Sequence, residues 1–155
     1  MKNLTLERTF SAPIEKVWEA LTSEEKLRKW WAPVGMETSS LSVDFKLGGI
    51  FAYCFKAPDG KEFWGRGIYK SIEEPKYLSW LDTFTDPQGN PVAASYYGMP
   101  GKEIIETLVE FKLSHANGTT TMTMVAENPY DDTMKEDMTN GWESMFDKLE
   151  ALLKS

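Results

Sequence analysis

The sequence predicts an α+β fold in which a curved antiparallel sheet of about six to seven strands surrounds one long C-terminal helix. Three observations predict it. The chain begins with a strand that turns into two short helices, continues as alternating strand patterns, and ends in one strongly periodic helix. With 155 residues, we expect a single domain over residues 1–155 with a substantial core. A helix across the concave face of such a sheet tends to enclose a pocket.

The start of the chain predicts the first strand and the first helix. Loose alternation of apolar and polar residues indicates a strand from about Asn3 to Ser11. Pro13 then lies where a first helical turn tolerates proline. The apolar residues that follow have the i, i+3, i+4, i+7 spacing of one buried helical face. They are Ile14, Val17, Trp18 and Leu21.

A second short helix is predicted directly after the first. Thr22 to Glu25 has the form of a capping box, in which the threonine side chain bonds a first-turn amide and Glu25 reaches back. Pro33 and Gly35 end this helix. Its apolar positions are Leu27, Trp30 and Trp31.

The middle of the chain predicts strands, because apolar residues alternate with polar ones from Ser39 onward. Turn residues at Gly48-Gly49, Pro58 to Gly60 and Asn117-Gly118 separate these segments, so consecutive strands form an antiparallel meander. The predicted strands cover 39–45, 51–56, 62–73, 77–84, 103–114 and 119–127.

One long segment interrupts the strand pattern. Residues 85–102 contain three prolines, three glycines and the pair Tyr96-Tyr97. Ordered loops of this length are often lids or binding loops. The alternative is a surface excursion with both tyrosines tucked down.

The final helix is the strongest periodic signal. Asp131, Asp132 and Thr133 supply caps and negative charge at its start, and about 20 residues give it a length of roughly 30 Å. Gly141 costs about 1 kcal/mol relative to alanine inside a helix, so we expect close backbone approach or room for a neighbouring group there. The apolar face contains Met134, Met138, Trp142, Met145, Leu149 and Leu152.

Composition excludes several partners. The formal charge of −7 disfavours nucleic acid and anionic membrane surfaces, which clustered Lys and Arg bind. No stretch approaches the roughly 18 apolar residues of a membrane span, and the N-terminus lacks a signal core, so we expect a cytoplasmic protein without membrane insertion. A single cysteine, Cys54, and a single histidine, His115, leave no ligand set for zinc. Any metal would have to be held by oxygen ligands alone, and we expect no metal and no cofactor.

Several segments, in this order, resemble one superfamily. They are Phe10 to Pro13 leading to Val17 to Thr22, Lys29 to Pro33, Asp44 to Gly49, and Gly141-Trp142. The chain resembles the SRPBCC superfamily, which groups START-type lipid-transfer, polyketide cyclase and plant allergen folds. Within it, the chain looks like the branch named after the activator of the heat-shock-protein-90 ATPase. Residues 86–99 look like bacterial members of that branch.

The resemblance implies a helix-grip fold, in which a bent antiparallel sheet wraps around the C-terminal helix and the two short helices close one end. It also implies an apolar ligand between helix and sheet, as the superfamily often has, and it supplies no catalytic motif. The eukaryotic co-chaperones behind the branch name carry an additional chaperone-binding domain, for which this chain has no room. A chaperone partner is therefore an alternative and not the main expectation.

Two carboxylates are candidates for acid–base chemistry. Asp82 shares a face with apolar residues of the 77–84 strand, and burial there would raise its pKa and make it a proton donor or acceptor. Glu106 would do the same if its face turns inward. The alternative for Asp82 is a strand-end position that reaches water. His115, in a turn, and Cys54, a small strand residue, lack the arrangement of a nucleophilic device.

Aromatic and methionine residues predict either an apolar pocket or a solid core. Such residues suit an adaptable pocket, but burial alone stabilises each by roughly 1.5–3 kcal/mol. Gly65 and Gly67 remove side-chain volume from the middle of a strand, which favours a cavity. Two alternatives remain for the inward face of that strand. One face has Trp64, Ile68 and Ile72, and the other has Phe63 and Tyr69.

We expect non-catalytic binding of a small apolar or amphipathic molecule between the sheet and the last helix. The alternatives are a protein-binding co-chaperone-like module and a pocket enzyme that uses Asp82 or Glu106. An edge strand can pair two copies, so we expect a monomer or a homodimer. The candidate ligand-binding residues are Trp30, Trp31, Phe51, Tyr53, Phe55, Trp64, Tyr69, Trp80, Phe84, Tyr97, Met138, Trp142 and Met145.

Overall fold

The computed structural model describes residues 2–129 and 132–155. The predicted helix cap at Asp131, and the side chains of Asp132 and Thr133, lie outside what it describes. In chain order the elements are β1 Lys2–Phe10, α1 Ile14–Thr22, α2 Glu24–Trp30, β2 Glu37–Val43, β3 Ile50–Lys56, β4 Glu62–Glu73, β5 Tyr77–Thr85, the 3-10 helix Ala94–Tyr97, β6 Thr107–Ala116, β7 Thr119–Asn128 and α3 Asp132–Lys154.

The strands form one seven-stranded antiparallel sheet in the order β1-β7-β6-β5-β4-β3-β2. Consecutive strands pair from β2 to β7, as the turn residues predict, and β1 closes the order by pairing with β7. Register shifts between Thr38 and Ser40 and between Tyr69 and Ser71 interrupt two ladders, and such irregularities increase the bend of a sheet. The predicted α+β helix-grip fold is therefore confirmed.

The C-terminal half of α3 packs into the concave side of the sheet. Phe146 is fully buried, and its ring centroid lies 6.4 Å from that of Phe111 on β6 and 6.5 Å from that of Trp30 on α2. Met145 and Leu149 are buried beside it, as the helical spacing predicts. Leu153 is buried as well, and the predicted face omitted both Phe146 and Leu153.

The predicted capping box at the start of α2 is wrong. Ser23 is the N-cap, and its side chain accepts a hydrogen bond from the Lys26 backbone amide at 3.4 Å. Thr22 is the last residue of α1, and its hydroxyl donates to the Trp18 carbonyl at 2.8 Å. A threonine with helical backbone bonds the carbonyl four residues before it, so it cannot cap the next helix.

Neither reason expected for Gly141, close backbone approach or room for a neighbouring group, is found, because a Cβ built there meets no heavy atom within 4 Å. Close approach occurs on β4 instead. A Cβ at Gly65 would lie 2.7 Å from the Tyr53 ring, and one at Gly67 would overlap the indole of Trp80. In a strand that faces a crowded concave surface, the absent side chain makes room for a neighbour.

The same contacts decide which face of β4 is inward. Gly65, Gly67 and Tyr69 face the core, and alternation turns Trp64 and Ile68 to the opposite face. After the register shift that follows Tyr69, Ile72 packs against the core. Both alternatives are thus correct over part of the strand, because a bulge reverses the parity.

One predicted strand begins too early. β6 begins at Thr107 and not at residue 103, so residues 103–106 belong to the loop that follows β5. This loop, residues 86–106, folds back onto the sheet, where the Thr83 hydroxyl donates to the Ile105 carbonyl at 2.8 Å. Over the described ranges, no helix has both the length and the apolar character that a membrane crossing requires.

Candidate functional site

A cavity of about 270 Å³ lies between the N-terminal half of α3, the sheet and the 86–106 loop. It is partly open to solvent, and most of the residues around it are apolar. The lining residues are Tyr53, Asp82, Thr83, Phe84, Val92, Ala94, Met99, Pro100, Glu103, Ile105, Thr107, Val109, Ala126, Glu127, Pro129, Met134, Met138 and Trp142.

The space between α3 and the sheet is open at the N-terminal end of the helix and filled at its C-terminal end. Met134, Met138 and Trp142 recur at every fourth position, so they share one helical face, and all three line the cavity. Further along the helix, Met145 and Leu149 are buried in the core. The apolar face predicted from periodicity therefore serves the cavity at its N-terminal end and the core at its C-terminal end.

The polar centre of the cavity wall is Asp82 on β5. Its Oδ1 accepts a hydrogen bond from the Tyr53 hydroxyl at 2.8 Å, and its Oδ2 accepts one from Trp80 Nε1 at 3.3 Å. Asp82 is half-buried and lines the cavity. The carboxylate is therefore held in place by neutral donors and still borders the cavity.

Two glycines of β4 make this arrangement sterically feasible. β4 lies between β3 and β5, and Gly65 pairs with Tyr53 on one side, while Gly67 pairs with Asp82 on the other. A side chain at Gly65 would occupy the position of the Tyr53 ring. Because Gly65 has none, Tyr53 extends across β4 and reaches the carboxylate of the second strand along.

Burial sets the ionisation of this pair. It raises the pKa of Asp82 to about 6, although the hydrogen bonds from Tyr53, Trp80 and the Thr83 backbone lower it in part. Burial, followed by the charge of Asp82, raises the pKa of Tyr53 well above its usual value. At neutral pH the tyrosine is thus a neutral donor to a carboxylate that titrates near pH 6.

Two more carboxylates line the cavity. Glu127, on β7, is half-buried and accepts a hydrogen bond from the Leu108 backbone amide. Glu103, in the loop, is exposed. Among the described residues, the lining includes no lysine, arginine or histidine. Nowhere in the part of the chain that the structure describes do three or more His, Cys, Asp or Glu side chains form a group that could hold a metal ion.

Four of the candidate ligand-binding residues line the cavity: Tyr53, Phe84, Met138 and Trp142. The others do not border it. Phe55 packs against the core from a half-buried position, and Trp64 lies on the opposite face of β4. Of the candidate acid–base residues, Asp82 lines the cavity, whereas Glu106 is exposed and does not. The candidates that are buried in the core are Trp30, Trp31, Phe51, Tyr69, Trp80 and Met145.

Trp31 lies at the centre of an aromatic cluster that includes several of the candidate residues. Its ring centroid lies 5.1 Å from that of Phe51, 5.8 Å from that of Trp80 and 5.6 Å from that of Trp142, each edge-to-face. Such pairs stabilise a core by about 0.5–1.5 kcal/mol each beyond their buried area. This aromatic cluster forms the closed end of the space, and Trp142 lies between it and the cavity.

Tyr97 anchors the loop and does not line the cavity. Its hydroxyl donates to the Thr85 carbonyl and accepts from the Trp64 backbone amide at 3.1 Å, while Lys61 Nζ donates to the Tyr97 carbonyl at 3.0 Å. These bonds fasten the loop to β4 and β5. Of the two tyrosines that the second alternative placed inward, Tyr97 is buried and Tyr96 is exposed.

Sequence reasoning missed most of the loop and sheet residues of the lining. The length of the 85–102 segment was a signal for a binding loop, but nothing in it distinguished the residues that turn inward. Thr107, Val109 and Ala126 lie in strands. Alternation along a strand indicates which face of the sheet a residue occupies, but not how far that face lies from α3. The missed loop residues are Val92, Ala94, Met99, Pro100, Glu103 and Ile105.

This combination of a helix-grip fold and a cavity between sheet and helix is that of the SRPBCC superfamily, as the sequence resemblance predicts. Residues 11–154 match the family described as activator of Hsp90 ATPase homolog 1-like protein. Because the match covers nearly the whole chain, the protein belongs to this family. Fold and family together support a ligand-binding or co-chaperone-like module. No curated protein matches the sequence.

Solved structures of bacterial proteins share the fold over almost the full length. A Chromobacterium violaceum protein is 25% identical, with a TM-score of 0.82, over 99% of this chain and 97% of that one. A Staphylococcus epidermidis protein is 28% identical, with a TM-score of 0.76, over 98% and 89%. A Nitrosomonas europaea protein is 26% identical, with a TM-score of 0.78, over 98% and 94%.

Proposed function

We propose that this protein binds a small amphipathic molecule in the cavity between α3 and the sheet. The observation that carries the proposal is the hydrogen-bonded pair of Asp82 and Tyr53 in the wall of a largely apolar cavity of about 270 Å³. Ligand sites combine a mainly apolar wall with a few well-positioned polar groups that orient the ligand. The ligand's apolar body would contact α3 and the loop, and its polar end would face Asp82.

Three methionines support an adaptable contact surface. Met99 lies in the loop, while Met134 and Met138 lie on α3, and all three line the cavity. An unbranched thioether side chain fills irregular gaps and adjusts to ligands of different shape. The aromatic rings of Phe84 and Trp142 add flat apolar surface at the same site.

The direct test uses the methionines as reporters. In protein labelled with ¹³C at the methionine methyl groups, titration with a neutral amphiphile such as 3-phenylpropanol should shift the signals of Met99, Met134 and Met138. Met122 and Met124 are fully buried in the core outside the lining, so their signals should stay in place. Native mass spectrometry of freshly purified protein would reveal a retained ligand.

A matched pair of variants locates the binding. Met138 and Thr139 are adjacent on α3 and both half-buried, but only Met138 lines the cavity. Met138→Trp should fill the space and abolish the shifts of Met99 and Met134, whereas Thr139→Trp should leave them. If no amphiphile shifts a lining methyl and no ligand is retained, the proposal is wrong.

A second candidate function is acid–base catalysis, favoured by the position and pKa of Asp82. A carboxyl group with a pKa of about 6 beside a cavity can exchange a proton with a bound molecule near neutral pH. The two functions separate at Asp82→Asn, which should retain binding of a neutral ligand. If a substrate is found whose conversion stops in this variant while its binding persists, catalysis is the function.

A further inference from the structure

We infer that the cavity selects an organic cation, an ammonium group attached to a small apolar body. The inference rests on the proposed function and specifies the ligand class. Its basis is the distribution of charge: in the described part of the chain, the lining residues that carry a formal charge are Asp82, Glu103 and Glu127, all of them acidic.

The two carboxylates with bound donors are not neutralised by them. Asp82 accepts from the Tyr53 hydroxyl, the Trp80 indole and the Thr83 backbone amide, none of which carries a formal charge. Glu127 accepts from a backbone amide, that of Leu108, which is also uncharged. An ionised carboxyl group offers about four acceptor positions, so both groups retain the capacity to bind a further donor. A charged donor would give the stronger bond.

The aromatic part of the wall favours the same ligand. Tyr53, Phe84 and Trp142 border the space that the carboxylates border. Aromatic rings attract an organic cation through their electron-rich faces, and they also contact its apolar body. A carboxylate ligand would gain neither attraction and would approach three like charges in a site of reduced dielectric.

The charge of the whole protein acts in the same direction. The chain carries a formal net charge of −7. A net negative potential concentrates cations near the surface and repels anions before they reach the cavity. Long-range and local electrostatics thus select against fatty acids and other anionic amphiphiles, and for amines.

The test compares three probes with one apolar body: 3-phenylpropylammonium, 3-phenylpropanol and 3-phenylpropionate at pH 7.5 and low ionic strength. Affinities come from the shifts of the lining methionine methyls. We expect the ammonium compound to bind about tenfold or more tightly than the alcohol, and the carboxylate to bind most weakly. Added salt should reduce the difference.

Two matched pairs of variants identify the source of the preference. Glu127→Gln and Glu103→Gln should each reduce the ratio of ammonium to alcohol affinity by about two- to fivefold. Glu110 is half-buried and hydrogen-bonded like Glu127, and Glu106 is exposed like Glu103, but neither lines the cavity. Glu110→Gln and Glu106→Gln should therefore leave the ratio unchanged.

The outcomes separate the two proposals. If the alcohol or the carboxylate binds as tightly as the ammonium compound, the inference of a cationic ligand is overturned, while binding of an amphiphile stands. If the ammonium compound is preferred but the control variants reduce that preference as much as Glu127→Gln and Glu103→Gln do, the cavity carboxylates are not its cause, and the inference also fails. If none of the three probes shifts a lining methyl, the inference of a cationic ligand fails, and the proposed function fails with it when no ligand is retained through purification either.

Discussion

The phenolic oxygen of Tyr53 on β3 lies 2.8 Å from Asp82 Oδ1 on β5, although a whole strand separates the two residues. The hydroxyl reaches that far because Gly65, on the intervening strand, has no side chain to obstruct the tyrosine ring. Among the described residues, Asp82 is the only acidic residue that β3, β4 and β5 contribute to the cavity lining, and this contact holds its carboxylate in place. It also fixes the orientation of the Asp82 carboxylate.

Tyr53→Phe should raise the pKa of Asp82 further above about 6, because it removes a hydrogen bond that favours the ionised form. The folded protein should also lose about 1–2 kcal/mol at pH 7.5, since a bond to a charged acceptor disappears. Carboxyl ¹³C titration of Asp82 measures the first effect and urea unfolding the second. As a control, Tyr77→Phe removes a tyrosine bond to Glu110 on β6 and should leave the Asp82 titration unchanged.

Asp82 should make the protein less stable as pH rises from about 4 to about 6. Its folded-state pKa of about 6 exceeds the unfolded value of about 3.9, so within this window the folded state binds more protons. The loss should amount to about 1–2 kcal/mol, after allowance for water that reaches the carboxylate through the cavity.

The measurement is the difference in unfolding free energy between wild type and Asp82→Asn at several pH values. Tyr53 from β3, Glu103 from the loop and Glu127 from β7 border the same cavity and are present in both proteins, so their contributions to the difference largely cancel. The advantage of the Asn variant should grow between pH 4 and pH 7. Parallel stability curves would show that Asp82 titrates as an exposed carboxyl group does.

Two glycine substitutions should have opposite effects. Gly141→Ala should stabilise the protein by up to about 1 kcal/mol, because a Cβ there meets open space and alanine favours a helix. Gly67→Ala should destabilise it by about 1–3 kcal/mol, because the Cβ would overlap the Trp80 indole and force it to move. Thermal unfolding of both variants tests this, and equal effects would contradict the assigned packing.

Tyr97→Phe should loosen the loop over the cavity. The hydroxyl joins the Thr85 carbonyl to the Trp64 amide, and its removal leaves a partly buried amide without that acceptor and a buried carbonyl without that donor, at a cost of about 1–3 kcal/mol. Hydrogen exchange should accelerate over residues 86–106 more than in β6 and β7. Tyr96→Phe is the control, since its side chain is exposed and no hydrogen bond fastens it to the sheet in the described structure. If both variants exchange alike, Tyr97 does not hold the loop.

Local sequence signals accounted for the elements, the order of the sheet from β2 to β7 and the burial of the α3 face at Met145 and Leu149. The boundaries were less secure. Residues 103–106 have a strand-like pattern but belong to the loop, where the Thr83 hydroxyl donates a hydrogen bond to the Ile105 carbonyl. Alternation along β4 did not decide which of its residues face inward, because the register shift after Tyr69 moves the inward positions from odd-numbered to even-numbered residues.

For the site, the sequence supplied the residue types and the structure their distances. Asp82, Tyr53, Met138 and Trp142 were candidates from composition and periodicity alone, because apolar faces repeat along each element. Whether such a face meets a neighbour or an empty space depends on residues far away in the chain. Trp31 and Phe146 fill one end of the space above the sheet, and the other end stays open between α3 and the loop. Periodicity determined what faces inward; only tertiary packing decided where the interior is hollow, since a cavity is a property of the distance between elements.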